Sequence, residues 1–218
     1  EVWRNDHWAT ILGESSSPLG GRGVSAGGLV SPAWVNTMEY ITIATTGDSI
    51  DFGDLTVARG NGFGGCGSAT RGLFGGGGIG NPGSATYYNV IDFITISTLG
   101  NATDFGDRTV TRQEMNGLSD ATRGVWGGGE PTTNVIDFVT IASTGNASDF
   151  GDLTAARDRH AAASNSIKGI FAGGHTSGLV NTIDSIIIAT EGNATDFGDL
   201  LAAKRYLAGC SGSHGGIA

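Results

Sequence analysis

This chain has little of what usually staples, charges or breaks a small protein. Two cysteines stand in 218 residues. That is too few for a disulfide framework, and without a Cys-x-x-Cys spacing they make no metal site of their own. Four prolines accompany 39 glycines, and the glycines follow no Gly-X-Y period, so a collagen helix is excluded. Only 15% of residues are charged while 39% are hydrophobic, the reverse of the balance that keeps a chain disordered. Bases are the scarcer sign. The net charge of −9 works against nucleic acid or an anionic membrane as partner, because both reward clustered Lys and Arg. No apolar run approaches the ~18 residues of a membrane-spanning helix. Helical signals are missing too, since runs such as Ala161 to Ala163 are short and flanked by strand formers. The length suits one large domain with a well-buried interior.

What the chain does have is repetition. Asp-Phe-Gly-Asp occurs four times, opening at Asp51, Asp104, Asp149 and Asp196, at intervals of 53, 45 and 47 residues. Each copy lies 15 residues after an Asn that opens an apolar run (Asn36, Asn89, Asn134, Asn181) and 8 residues before a base (Arg59, Arg112, Arg157, Lys204). A period near fifty with this much internal detail signals a stack or ring of like units. In the third unit, Arg112 to Ser119 is a mixed segment, and Arg123 to Gly129 is a short strand stopped by glycines. Asn134 to Ile141 is rich in β-branched residues, a Gly-Asn turn follows, and Ser148 to Leu153 closes the unit. That is four short strands joined by turns.

Four antiparallel strands per unit predict an all-β fold, with each unit one blade of a β-propeller. The expected domain is single, spanning 1–218, with repeats near 7–55, 58–108, 111–153 and 156–200. A partial repeat at 203–218 would be closed by an outer strand from residues 1–5. This predicts five blades, the alternative being part of a larger propeller. Cys66 and Cys210 fall at matching places in two repeats, where the others carry Leu118 and Ala163, so both are expected reduced and buried on inner strands.

The order of these features resembles the kelch repeat: a strand starting near a base, a strand ending in Gly-Gly, an aromatic-bearing strand and an outer strand with a large aromatic. The Gly-Gly pairs are Gly27-Gly28, Gly76-Gly77, Gly128-Gly129 and Gly173-Gly174, while Phe52, Phe105, Phe150 and Phe197 stand where the kelch outer strand has Trp. The wording from Thr140 to Asp152, Thr-Ile-Ala-Ser-Thr-Gly-Asn-Ala-Ser-Asp-Phe-Gly-Asp, is similar to repeats in structural and tail proteins of bacterial viruses. The second resemblance implies a virion-associated or extracellular module, structural or adhesive, that binds a host surface glycan or another virion protein in several copies on one particle. The kelch resemblance alone implies a protein-protein interaction adaptor.

No catalytic set emerges from the residues. Four Asp-Phe-Gly copies without a glycine-rich nucleotide loop or catalytic loop do not make a kinase; the Phe reads as a packing knob between blades. Acids recur in the third strand at Glu39, Asp92, Asp137 and Asp184, and are expected to pair with bases of the adjacent Gly-rich strand, Arg71, Arg123 or Lys168. Asn101, Asn146 and Asn193 open Asn-Ala-Thr or Asn-Ala-Ser sequons, which turn chemistry explains as well as glycosylation does. The four His occupy different repeat positions, so no cofactor or metal is expected and the chain reads as non-enzymatic. Recognition is expected where the repeats differ. Those places are the loops between second and third strands, carrying Trp34, Tyr87, Tyr88, Glu130 and His175, and the start of the inner strand, carrying Asn61 and Phe63, Glu114 and Met115, Arg159 and His160, and Arg205 and Tyr206. Aromatic and polar groups together on loops suit sugar or protein surfaces.

Overall fold

Short runs of β-branched and aromatic residues bounded by Gly, Asn and Asp become strands, and nothing else regular forms. The computed structural model describes residues 2–4, 7–9, 21–80 and 85–211, and it is all-β with no helix among them. Val2–Arg4 (β1) pairs antiparallel with His7–Ala9 (β2). Arg22–Val30 (β3), Ala33–Thr42 (β4) and Ile50–Asp54 (β5) form a three-stranded sheet. Three four-stranded sheets follow. The first contains Gly64–Gly67 (β6) and Arg71–Gly75 (β7). After a small hairpin of Gly78–Ile79 (β8) and Thr86–Tyr87 (β9), it continues with Val90–Thr95 (β10) and Thr103–Asp107 (β11). The next is Asn116–Ser119 (β12), Arg123–Gly127 (β13), Val135–Thr140 (β14) and Ser148–Asp152 (β15). The last is Ala161–Ser164 (β16), Lys168–Ala172 (β17), Thr182–Ile187 (β18) and Thr195–Asp199 (β19). Each larger sheet is an antiparallel meander in chain order, the four-stranded unit that the repeat predicts. Of the segments expected to close a ring, Val2–Arg4 pairs with β2 and residues 203–211 form no strand, while residues 1, 5 and 212–218 lie outside the described residues.

Every repeat carries the same defect. The third and fourth strands lose register next to the recurring acid, at Met38/Glu39, Ile91/Asp92, Ile136/Asp137 and Ile183/Asp184. The residue left unpaired on the fourth strand is the Phe of Asp-Phe-Gly-Asp, and such a bulge bends the strand and re-aims its side chain. The Gly that follows has a φ of 136° to 143° in the four copies. It also meets the next repeat, since a Cβ on Gly53, Gly106 or Gly151 would stand 2.5 Å from the backbone of Gly100, Gly145 or Gly192. Both demands exclude any other residue.

The core lies between successive sheets. Phe105, Leu73 and Ile91 of one sheet pack on Trp126, Val139 and Ile141 of the next. Phe150, Leu118 and Val125 pack likewise on Phe171, Ile186 and Ile188. The expected knob is there: Phe105 is 2% exposed and meets Phe93 edge-on with ring centroids 5.8 Å apart. Backbone bonds seal each junction at its outer end. The turn glycine donates to the Phe carbonyl of the preceding repeat (Gly100 to Phe52, 2.8 Å; Gly145 to Phe105, 2.7 Å; Gly192 to Phe150, 2.7 Å). The sequon Asn uses its Oδ1 to accept from the preceding repeat's second Asp N–H, as Asn101 does from Asp54 at 3.0 Å. Turn chemistry therefore has a cross-sheet purpose at these asparagines.

Two expectations need correction. The third-strand acids do not pair with Arg71, Arg123 or Lys168. Asp92 is held by Arg59 at 3.0 Å, Asp137 by Arg108 and Arg112 at 2.7 and 2.9 Å, and Asp184 by Arg157 at 2.8 Å, all fully buried or nearly so. These bases arrive on the crossover from the preceding sheet, with a Thr whose hydroxyl donates to the same carboxylate (Thr56, Thr109, Thr154). Burial alone would raise the Asp137 carboxyl, but Arg108 and Arg112 hold it below the usual carboxylate range. Breaking such a pair leaves a buried charge uncompensated. Arg71 and Arg123 instead lie over Phe93 and Phe138 and donate to the carbonyls of Ile141 and Ile188 in the next repeat. The second correction concerns the cysteines. Both are free thiols, but Cys210 is exposed, and Cys66 is only half-buried as a residue. The Cys66 thiol itself faces inward toward Gly124, and burial pushes it up to about 12.

Candidate functional site

Two residues beyond each recurring base the backbone enters the left-handed region. Asn61, Glu114, Arg159 and Tyr206 have φ of 52°, 53°, 56° and 60°, and they are the non-glycine residues with positive φ among those described. Asn tolerates this conformation; for Glu, Arg and Tyr it costs about 1–2 kcal/mol each. A hydrogen bond worth about 0.5–1.5 kcal/mol net offsets much of that, and the structure provides one at every step. The N–H of Glu114 donates to Asn61 C=O at 3.0 Å, that of Arg159 to Glu114 C=O at 2.9 Å, and that of Tyr206 to Arg159 C=O at 2.8 Å. A row of backbone bonds thus runs past the starts of β6, β12 and β16 and on to Tyr206, after which residues 207–211 form no strand. At the other end of these strands side chains form a second row: Ser119 Oγ donates to Gly67 C=O at 2.7 Å and Ser164 Oγ to Ser119 C=O at 2.8 Å. The first strands of neighbouring sheets are therefore tied side by side at both ends.

The left-handed row carries four chemically different side chains on one repeated backbone. Glu114 pairs with Arg159, which also donates to Asp158 at 2.8 Å. The guanidinium of Arg159 lies over the Tyr206 ring, 5.4 Å from its centroid, and Arg205 lies 5.2 Å from the same centroid. A cleft of about 240 Å³ opens here, lined by Asn61, Phe63, Glu114, Arg159, His160 and Tyr206. Tyr206 is 67% exposed at its rim.

Strain at a functional site is a recognised pattern, read from outlier to hypothesis. Carboxylate oxygens of Glu114, Glu130 and Asp158 lie within 4.8 Å of one another. Such a set could suit a hard cation, but Arg159 already donates into it and serves as the counter-charge. Burial pushes Glu114 up, with Asp158 adding to the effect and Arg159 opposing it. Glu130 is raised by partial burial and by a carboxyl hydrogen bond to Asp158. Burial works against the charge of Arg159, yet Asp158 and Glu114 together hold it above the ordinary arginine value.

The loops expected to vary are attached to this row. The residue after each base exchanges two backbone bonds with the residue after each Gly-Gly pair: Gly60 with Gly78, Gln113 with Glu130, Asp158 with His175. Glu130, His175 and Tyr206 therefore gather around Asp158 and Arg159, with His175 Nδ1 3.8 Å from Asp158. Trp34 lies on Gly60, where a Cβ would strike its ring at 2.3 Å. Tyr87 belongs to β9, and Tyr88 donates its N–H to Gly77 C=O at 2.8 Å. Their loop touches the row through Asn61, whose Nδ2 donates to Gly80 C=O at 3.0 Å.

His160 differs from the expectation. Its side chain is fully buried, edge-on to Phe171 with centroids 5.5 Å apart, and it shares its register with Met115 and Leu207. Burial, with Arg157 and Arg112 nearby, pulls its imidazole down to about 3. It is a core residue beneath the cleft. Asp158 is the member that the sequence reading does not name; Asn61, Glu114 and Arg159 are among the variable residues expected at the start of the inner strand, but variability alone does not align them with Tyr206. Counting two places on from each base would have aligned these three with it.

No protein-family model matches the chain, and no curated protein sequence matches it either.

Proposed function

We propose that this chain is a non-catalytic binding module, a propeller-type arrangement of four-stranded blades, whose recognition edge is the left-handed row with its attached loops. One observation carries this reading: along the left-handed row side-chain identity changes at every step while the backbone repeats. Asn61, Glu114, Arg159 and Tyr206 share one strained conformation and are linked in series by the same backbone hydrogen bond, so packing does not dictate which residue stands there. An exposed aromatic beside carboxylates, guanidinium groups and an amide matches the hydroxyls and apolar face of a sugar. A surface glycan, met by several copies on a virion or other extracellular particle, is the ligand we assign. Weak single contacts would then gain strength through multivalency.

The test is a glycan array probed with the wild-type chain and with Tyr206→Ala and Glu114→Gln. The expected result is selective binding by the wild type that falls tenfold or more in each variant, about 1.4 kcal/mol, with the melting temperature moved by only a few degrees. Binding that survives both substitutions would remove the row from the site. An array left blank by the wild type would overturn the glycan assignment.

A further inference from the structure

The three internal junctions of this molecule show what each face of a repeat requires, and among the described residues two faces go without it. On its outgoing side a repeat offers the bulged Phe, its carbonyl, and the N–H and C=O of the second Asp. On its incoming side it offers the Gly-Asn-Ala turn and the Ile that precedes it. Internally the two sides are matched. Phe52, Phe105 and Phe150 are buried, as are Ile141 and Ile188. Each turn glycine donates to a Phe carbonyl, and the turn alanine donates to an Asp carbonyl (Ala102 to Asp54, 2.8 Å; Ala147 to Asp107, 2.7 Å; Ala194 to Asp152, 2.8 Å).

The ends of the array are the exceptions. Phe197, last of its kind, is 56% exposed, and among the described residues nothing lies within 4 Å of where a Cβ on Gly198 would stand. At the start, Ile43 occupies the register of Ile141 and Ile188 and is 68% exposed. The turn that follows it reads Gly47-Asp48-Ser49. Its Asp carboxylate can accept the N–H of Asp199 as the Asn amides accept theirs. Lys168, which lies 5.4 Å over the Phe197 ring, stands where Arg71 and Arg123 reach forward to an Ile carbonyl, so the carbonyl of Ile43 is its counterpart. The sequence holds four turns of this kind, and three already serve internal junctions. The fourth is the incoming face of the first repeat.

We propose that these two faces are the halves of one interface, and that a second copy of this chain, docked head to tail, covers Phe197 with its Gly47–Ser49 turn. Such a contact is heterologous, so each copy uses one face of each kind and can propagate into a ring or a longer array. The inference is independent of the glycan assignment, because neither face includes the left-handed row.

Sedimentation velocity and light scattering across a concentration series test it with Phe197→Asp and Ile43→Asp, both substitutions at exposed positions. The wild type should associate with rising concentration, and each variant alone should stay monomeric. Mixed, the two variants retain one intact face each and should form one-to-one dimers and nothing larger, a result that a symmetric interface does not give. A wild type that stays monomeric at every concentration would overturn the proposal, whether its faces remain open or close on each other within one chain. So would variants that associate as the wild type does, or a mixture that yields no dimer.

Discussion

Phe105 and Phe197 stand in the same motif, on the same bulge, before the same left-handed glycine, yet one is 2% exposed and the other 56%. The comparison separates what a repeat supplies from what its neighbour supplies. The bulge and the strand pairing survive at the end of the array, because they depend on bonds within the sheet. Burial of the ring does not, because it depends on the following repeat. The crossover tells the same story. After the first three copies comes Thr-x-x-Arg, and both residues grip the acid of the next sheet. After the fourth comes Leu201-Ala202-Ala203-Lys204, and Leu201 is exposed to solvent. Stability in such an array is close to a sum of repeat and nearest-neighbour terms. The energetic weight of the consensus motif should therefore sit mainly in the junctions.

The sharpest break of this comparison is a matched pair of truncations. Phe105→Ala removes a ring from a closed junction and should cost about 3–5 kcal/mol. Phe197→Ala, measured by denaturant at high dilution, should cost less than about 1 kcal/mol, in the range of surface changes. Equal losses would mean that the motif stabilises its own sheet and that the junction adds little.

A second pair separates backbone strain from contact. Gly106 and Gly198 have φ of 143° and 139°, so alanine is strained at both. Only at Gly106 would the new Cβ also meet backbone, that of Gly145 at 2.5 Å. Gly106→Ala should exceed Gly198→Ala by about 1–3 kcal/mol, the usual cost of overpacking. Identical values in chemical denaturation would show that the neighbouring turn yields, and that conformation alone selects this glycine.

Much of the architecture was legible before the structure because its signals are local. Gly and Asn mark turns, β-branched runs mark strands, and the count of four per repeat needs only their order. The partners of Asp92, Asp137 and Asp184 were not legible. Choosing between Arg71 and Arg59 requires knowing that the crossover from the preceding sheet passes beside the acid. The residues of the left-handed row stood out as variable, but their shared conformation was hidden for another reason. Asn, Glu, Arg and Tyr share no chemistry, and three of them do not favour positive φ, so composition gives no sign. Only their common distance from the recurring base aligns them. His160 was misplaced by residue type. Read by register, it belongs with Met115 and Leu207, both apolar, and the core is where it lies.

That register gives the smallest and most specific expectation, a comparison between two equivalent buried positions in neighbouring repeats. Met115 and His160 are both buried beneath the row, but only His160 titrates. In the unfolded chain its imidazole takes a proton near the ordinary value of about 6.5. In the folded chain burial, with Arg157 and Arg112 close by, delays this to about 3. Between those values the unfolded form holds more protons, so stability falls as the solution is acidified. The slope has a ceiling of about 1.4 kcal/mol per pH unit. His160→Met should remove this contribution. Glu114 and Glu130, both raised, act in the opposite sense, but they are common to both proteins and cancel in the difference. Melting curves should nearly coincide in shape at pH 7.5 and diverge below pH 6.5, with the wild type losing ground to the variant at every step toward pH 5. Parallel curves over that range would show that the charged ring finds an acceptor in the folded protein, and that the cleft above it admits more water than its packing indicates.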